Sequence, residues 1–131
     1  MPAHPASLFS IATGSPEPIY RQLVEQVRRL SASGQLRPGD EMPSVREIAQ
    51  ALTLNPMTVS KAYGLLEMEG VLARRRGLGM VVAESAAPAG TADIVGLLRP
   101  TLERAAVEAR QLELDPDTVL SLFATILKET K

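Results

Sequence analysis

The sequence lacks cysteine altogether, and its single histidine is His4. The absence of thiols excludes disulfide scaffolds, thiolate zinc sites and cysteine nucleophiles. A serine–histidine–aspartate site or a histidine-based metal site would depend on His4, which lies in a segment rich in proline and alanine. We therefore expect no metal, no cofactor and no enzymatic activity.

Aromatic residues make up only 3% of the chain, with no tryptophan. This scarcity disfavours the stacking platforms that bind single-stranded nucleic acid. No stretch approaches the roughly 18 uninterrupted apolar residues of a membrane span. The N-terminus also lacks a charged region followed by a long apolar run, so it does not resemble a signal peptide. We expect a soluble, cytoplasmic protein without a membrane partner.

An excess of charge of either sign is also missing. The chain has 14 Lys and Arg against 15 Asp and Glu, a formal net charge of −1. This balance excludes a globally basic nucleic-acid binder, although it leaves room for a local basic surface. With 131 residues, 45% of them hydrophobic, the chain is expected to fold as one domain or as one small domain with an appendage.

Composition divides the chain into four segments. The first carries three prolines and few charges, and we expect a flexible leader in which Leu8, Phe9 and Ile11 could dock onto the rest. A later run of small residues, with a proline and a glycine, is typical of a linker. The predicted segments are the leader 1–16, a folded domain 17–84, the linker 85–92 and a helical dimerisation segment 93–131.

Three amphipathic helices are predicted in the folded domain. The second begins at a capping box, with Ser44 as the cap and Glu47 three residues later. The third begins at Asn55 and Pro56, an N-cap followed by a first-turn proline, and it ends near Gly70. The first shows apolar residues at three- and four-residue steps, namely Ile19, Leu23, Val27 and Leu30.

After the third helix, the runs VLARR and LGMVV flank Arg76 and Gly77. These runs predict two short strands joined by a basic turn. Only Thr53 and Leu54 separate the second and third helices, which favours a tight crossing. The predicted fold is therefore mainly α, a winged helix-turn-helix of three helices plus a β-hairpin wing, followed by two C-terminal helices.

The predicted third helix suits the major groove of B-DNA, because it turns its apolar stripe inward and short polar side chains outward. Arg46 could fork onto a phosphate or a guanine, and the arginines of the turn suit a minor groove and its phosphates. A solvated helix face and surface ion pairs are the alternative interpretations. The predicted DNA-binding residues are Ser44, Arg46, Asn55, Pro56, Met57, Thr58, Ser60, Lys61, Arg74, Arg75, Arg76 and Gly77.

These motifs resemble the winged helix-turn-helix of the GntR family of bacterial transcription regulators, and most closely its YtrA-type branch. The resemblance covers residues 18–83, about half of the chain. It implies DNA contacts at Arg46, at the start of the third helix and at the wing tip, although Met57 departs from the polar residue common in that branch. The matching motifs are L-x-P-G-x-x-x-P-S-x-R-x-[IL]-A at 36–49, N-P-x-T-V-x-[KR]-A-Y at 55–63, L-E-x-E-G at 66–70 and R-[RQ]-G-x-G at 75–79.

The C-terminal segment carries two further apolar stripes, which two helices cannot bury well by themselves. The helices either fold back onto the folded domain or pair with a second copy, and we expect a symmetric homodimer. The resemblance likewise implies that these helices dimerise the protein. Because the segment is too small to enclose a ligand pocket by itself, an effector molecule, if one exists, would bind at the dimer interface. The predicted dimerisation residues are Ile94, Leu97, Leu98, Leu102, Ala105, Leu112, Val119, Leu122, Phe123 and Ile126.

The sequence thus predicts a transcription regulator, expected to be a repressor, that binds a near-palindromic operator on double-stranded DNA as a homodimer. The alternative is a winged-helix adaptor that binds proteins and not DNA. An enzyme is less favoured, since Ser60 and Lys61 are adjacent and do not face each other on a helix.

Overall fold

The computed structural model of the chain describes residues 3–84 and 91–130. These residues form five helices and a two-stranded antiparallel sheet, and the chain divides into the compact units Met1–Ile94 and Val95–Lys131. The predicted mainly α fold class is confirmed. Residues 85–90 of the predicted linker lie outside the described residues. Residues 91 and 92 belong to a helix.

Three helices form the frame of the first unit: α1 is Ile19–Ala32, α2 is Val45–Leu52 and α3 is Pro56–Met68. Both α1 and α2 pack against α3, and their apolar faces meet in one core. Burial of each large side chain contributes about 1.5–3 kcal/mol. The largest fully buried side chains are Leu23, Val27, Leu36, Ile48, Val59, Leu66, Leu72, Val81 and Val82.

Polar caps determine where α2 and α3 begin. The Ser44 hydroxyl accepts the Glu47 amide at 3.0 Å, and the Glu47 carboxylate accepts the Ser44 amide at 3.1 Å. This is the predicted capping box. The side-chain oxygen of Asn55 accepts the Met57 amide at 2.8 Å, with Pro56 as the first helical residue. Each cap contributes about 1 kcal/mol.

The turn between α2 and α3 contains a backbone conformation that residue types did not indicate. Thr53 has a φ of 55°, in the left-handed region where a β-branched residue is strained. The Leu54 amide then donates to the Ala49 carbonyl at 2.8 Å and closes the end of α2. The predicted tight crossing is therefore achieved through a strained threonine.

The hairpin consists of β1, Leu72–Arg75, and β2, Gly79–Val82, paired antiparallel with Arg75 opposite Gly79. The predicted wing with its basic turn is confirmed. Gly77 in the turn has a φ of 82°, which glycine adopts without strain. A side chain at this position would meet no atom within 4 Å, so the tip of the hairpin is open to an approaching surface.

The sheet continues beyond β2 through single bridges. The Val82 amide donates to the Asp40 carbonyl at 2.8 Å, and Glu41 bridges to Val81. On its other side Glu41 forms a parallel bridge with Ala3. The N-terminal segment therefore lies in register with the wing, separated from it only by the residues around Glu41.

The described part of the leader differs from the flexible segment expected for residues 1–16. A 3-10 turn at Ala6–Leu8 leads to Phe9, which is only 3% exposed and belongs to the core. Leu8 and Ile11 pack against the same core. The few charges and the prolines suggested a loose chain, but burial of these apolar side chains holds the segment on the domain.

Two glutamines of α1 also bind the leader. The buried Gln22 accepts the Ala12 amide at 2.9 Å and donates to the Ala12 carbonyl at 3.2 Å. The Gln26 side chain makes the same pair of bonds to the backbone of Ser10, at 3.1 and 2.6 Å. The backbone polar groups of Ser10 and Ala12 thus find partners on α1 instead of water.

The second unit contains most of α4, Thr91–Gln111, and all of α5, Pro116–Glu129. Asp115 caps α5 by accepting the Thr118 amide at 3.3 Å, and Pro116 is the first helical residue. Within residues 3–84 and 91–130, none of the helices is both long enough and apolar enough to cross a membrane.

Candidate nucleic-acid interface

The first half of α3 presents two different faces. Val59 and Ala62 are fully buried, whereas Ser60 and Lys61 on the other face are exposed, and Met57 is 78% exposed. The buried stripe supports α3 on the core. The other face offers a hydroxyl, an ammonium and a thioether to any surface that approaches the start of the helix.

Several residues predicted to contact DNA also stabilise helix ends. Ser44 and Asn55 use their side-chain oxygens as caps of α2 and α3, and the Thr58 amide donates to the Asn55 carbonyl at 3.0 Å. Thr58 is half-buried and Pro56 is exposed. Substitution of Ser44 or Asn55 would therefore change helix stability as well as any contact.

Arg46 lies in the first turn of α2 and is exposed. Among the residues that the structure describes, it has no carboxylate within ion-pair distance. The alternative interpretation of Arg46 as a surface ion-pair partner therefore receives no support. Its guanidinium, which can form two parallel hydrogen bonds to a phosphate or guanine, is available for an outside partner.

The three arginines of the wing have different surroundings. Arg74 lies 3.7 Å from Glu67 of α3, and Arg75 lies 3.8 Å from Glu84. Arg76, at the turn, has no carboxylate partner in the described part of the chain. The positive charge of the wing is thus concentrated at Arg76, and the interpretation of the other two as ion-pair partners is supported by these distances.

Lys61 has a neighbour that the sequence analysis did not identify. Its ammonium nitrogen lies 4.0 Å from the centroid of the Tyr20 ring, on the first turn of α1. The two residues are 41 positions apart in the sequence, and no local pattern connects them. Their contact results from the packing of α1 against α3.

Tyr63 connects α3 to the segment that precedes α2. Its hydroxyl is buried and donates to the Pro43 carbonyl at 2.5 Å. Burial, followed by the negative charge of Glu47, raises the pKa of the Tyr63 phenol well above its ordinary value, because both disfavour the phenolate. The hydroxyl therefore stays neutral, and its hydrogen bond to Pro43 ties the segment that precedes α2 to α3.

A second ion-pair group lies near the C-terminal end of α3. Arg28 of α1 binds the carboxylates of Glu25 and Glu69. The hydrogen bond from Arg28 lowers the pKa of Glu69, against a smaller effect of burial. The cationic charge of Arg28 is thus compensated within the protein, in contrast to that of Arg46 and Arg76.

The residues predicted to dimerise lie at the surface of the single chain. Leu97, Leu98, Leu102, Leu112, Leu122 and Ile126 are exposed, with Leu112 at 69% and Leu122 at 53%. Ala105 is also exposed, whereas Ile94, Val119 and Phe123 are half-buried. Neither α4 nor α5 has a fully buried apolar residue in the described part of the chain.

Known proteins are similar to this chain in sequence and in fold. Residues 19–82, from the start of α1 to the end of β2, match the family described as bacterial regulatory proteins, gntR family. The chain is 37% identical over 94 residues to the uncharacterized HTH-type transcriptional regulator YhcF of Bacillus subtilis, which covers 72% of this chain and 73% of YhcF. The chain belongs to the GntR family.

Two further GntR relatives extend the comparison. The HTH-type transcriptional repressor YtrA of Bacillus subtilis is 44% identical over 79 residues, which are 60% of this chain and 61% of YtrA. The solved structure of YtrA from Sulfolobus acidocaldarius, a GntR-family transcription factor, superposes with a TM-score of 0.55 at 30% identity. That alignment covers 93% of this chain and 98% of the Sulfolobus protein.

The GntR match begins at α1 and ends at β2. It includes every residue that the sequence analysis assigned to DNA binding, and it leaves out the leader and both C-terminal helices. The YtrA structure from Sulfolobus, by contrast, is similar over nearly the whole chain. The resemblance to the YtrA-type branch is therefore confirmed for the fold.

Proposed function

We propose that the chain binds a double-stranded DNA operator as a homodimer and represses transcription by occluding the site. Its membership of a family of bacterial regulatory proteins supports the regulatory role. The name of its Bacillus subtilis relative YtrA, a transcriptional repressor, supports repression. YhcF and the Sulfolobus YtrA are also transcription regulators by name.

The surface of α3 is the observation that carries the proposal. Its buried face is held by α1 and α2, while Met57, Ser60 and Lys61 project from the first two turns. An α-helix with short polar side chains at its N-terminal end fits the major groove, where each base pair presents its own donors and acceptors. The proposed DNA contacts of α3 therefore come from residues Asn55 to Lys61.

The distribution of charge also supports the placement of α3 in the major groove. Arg46 and Arg76 carry guanidinium groups without carboxylate partners in the described residues, although the whole chain has a net charge of −1. DNA phosphates attract such cations, and each phosphate contact releases bound counterions. We assign Arg46 to the phosphate or guanine beside the major groove and Arg76 to the adjacent minor groove.

The homodimer is supported by the surface of α4 and α5. Their exposed leucines form an apolar surface that a second copy of the same helices would cover, as in a two-fold dimer. Exposed apolar surface of this extent is typical of an interaction site. A two-fold arrangement places two copies of α3 about 34–36 Å apart, which requires a near-palindromic operator.

Selection of bound duplexes from a random pool tests the proposal. The purified protein should enrich one near-palindromic sequence, and titration of that duplex should give affinity that falls steeply with salt concentration. A scrambled duplex of equal length should bind much more weakly. An absence of salt-dependent duplex binding would instead support the winged-helix adaptor, with the wing arginines bound to an acidic protein.

A further inference from the structure

Lys61 is held in a different way from three arginines of the same unit. Arg28, Arg74 and Arg75 each pair with a carboxylate, which places a negative charge beside the cation. The Lys61 ammonium instead lies over the Tyr20 ring. A ring face attracts a cation through its quadrupole and adds no opposing net charge, so Lys61 is positioned and keeps its full charge toward an outside partner.

The ring itself is well supported. Tyr20 lies in the first turn of α1, is half-buried and packs against the hydrophobic core. Lys61 lies in the second turn of α3 and is exposed. Because α1 and α3 pack directly against each other, the distance between the ring and the lysine backbone is set by two rigid elements.

We propose that Tyr20 is a positioning residue, which holds the Lys61 ammonium where it binds a phosphate of the operator. The inference rests on the proposed function. A free lysine loses rotamer freedom when it binds, whereas Lys61 has lost part of that freedom before DNA arrives. The ring on α1 draws the Lys61 ammonium toward the α1 side of α3, and we place the bound phosphate on that side.

Three single variants and one double variant test the assignment in operator titrations at several salt concentrations. Tyr20→Leu removes the ring face and should weaken binding about two- to fivefold, because the lysine side chain must then be fully immobilised when DNA binds. Tyr20→Phe keeps the ring and should bind like the wild type. Lys61→Met should lower the salt slope by about one, and adding Tyr20→Leu to it should cause no further loss.

The double variant separates positioning from a structural role, because an effect of Tyr20→Leu on folding would persist without the ammonium. A direct check in the absence of DNA is the NMR shift of the Lys61 side-chain methylene protons. The ring should move these resonances upfield in the wild type and in Tyr20→Phe, but not in Tyr20→Leu.

Different results overturn different statements. If the wild type shows no salt-dependent duplex binding, the proposed function fails and the inference fails with it. If the wild type binds, the inference alone is overturned by any of three results: Tyr20→Leu binds as tightly as the wild type, Tyr20→Phe is as weak as Tyr20→Leu, or Tyr20→Leu still weakens binding in the Lys61→Met background.

Discussion

The imidazole of His4 lies 2.7 Å from the carboxylate of Asp40, which is 3% exposed. The same carboxylate oxygen accepts the Arg37 amide at 3.0 Å. Burial alone would raise the pKa of Asp40, but the hydrogen bonds from His4 and from the Arg37 amide, together with their charges, lower it overall. The only histidine of the chain thus fastens the leader to the segment that pairs with β2.

Replacing His4 with alanine should destabilise the first unit by about 1–2 kcal/mol at neutral pH, because a buried carboxylate loses a hydrogen bond. Urea unfolding followed by circular dichroism measures this change. Ser7→Ala is the matched control, since Ser7 is exposed in the same leader. Equal unfolding midpoints for the His4 and Ser7 variants would show that the His4–Asp40 pair does not contribute to stability.

The pH dependence of the same variant follows from the lowered pKa of Asp40. In the wild type the contribution of Asp40 is present above its unfolded pKa, ordinarily 3.8, and is lost as pH falls through the lower folded pKa. Without His4 the folded pKa rises. The stability difference between the wild type and His4→Ala should therefore shrink in acid, and a difference that grows there would contradict the assignment.

Tyr63→Phe should cost about 1–2 kcal/mol of stability, because the buried Pro43 carbonyl would lose its hydrogen-bond donor. The helical content of the folded protein should not change. Tyr20→Phe removes a hydroxyl from a half-buried tyrosine on α1, and we expect it to stay within about 0.5 kcal/mol of the wild type. Measuring the unfolding free energies of the two variants in parallel compares the contributions of the Tyr63 and Tyr20 hydroxyls to stability.

Alkaline pH provides a second measurement on Tyr63. Its folded pKa is raised by burial and by Glu47 above the ordinary 10.0. Its contribution is therefore fully present below pH 10 and is lost as pH rises toward the folded pKa. The gap between the wild type and Tyr63→Phe should stay constant up to about pH 9 and narrow as pH rises above about 10. A constant gap would mean that Tyr63 ionises equally in both states.

Features of the fold that depend on neighbouring residues could be predicted from the sequence. The capping box at Ser44 and Glu47 and the cap at Asn55 involve residues two or three positions apart, so their spacing alone identifies them. The wing follows in the same way from two short strands around a glycine. Such local agreement explains why the helix order and the wing were predicted correctly.

Contacts between distant segments could not be predicted in this way. The sequence indicates that Phe9 could dock, but it does not identify the helices that bury Phe9, which start ten or more positions later. The pairs Arg74–Glu67 and Arg75–Glu84 likewise join residues across the hairpin and α3. The three wing arginines are equivalent in the sequence, but their carboxylate neighbours make them unequal in the structure.

This inequality gives a prediction about the wing. Arg76→Ala should weaken operator binding by about 1–3 kcal/mol if its guanidinium bonds to base edges in the minor groove. If Arg76 contacts only phosphate, the substitution should lower the slope of log affinity against log salt concentration by about one on every sequence. Arg74→Ala should have a smaller effect, because Glu67 already offsets its charge. Anisotropy titrations with the operator and a scrambled duplex measure both quantities.

Glu67→Gln is the complementary variant for the wing. It removes the carboxylate that lies 3.7 Å from Arg74, so Arg74 becomes available and duplex binding should tighten at low salt. Surface pairs of this kind contribute little to stability, and each wing variant should fold normally. Equal losses for Arg74→Ala and Arg76→Ala would contradict the proposed division of roles.

Leu122→Asp should convert the proposed homodimer into a monomer. Leu122 is 53% exposed in the single chain, so the new carboxylate is solvated in the monomer but would be desolvated in a dimer. We expect the dimer dissociation constant to rise at least about a hundredfold and operator affinity to fall with it, while circular dichroism stays unchanged. Ser121→Asp adds the same charge about 100° around α5 from Leu122, outside the predicted dimerisation residues, and should remain dimeric. Sedimentation equilibrium distinguishes the two variants, and a dimeric Leu122→Asp protein would place the interface away from this face of α5.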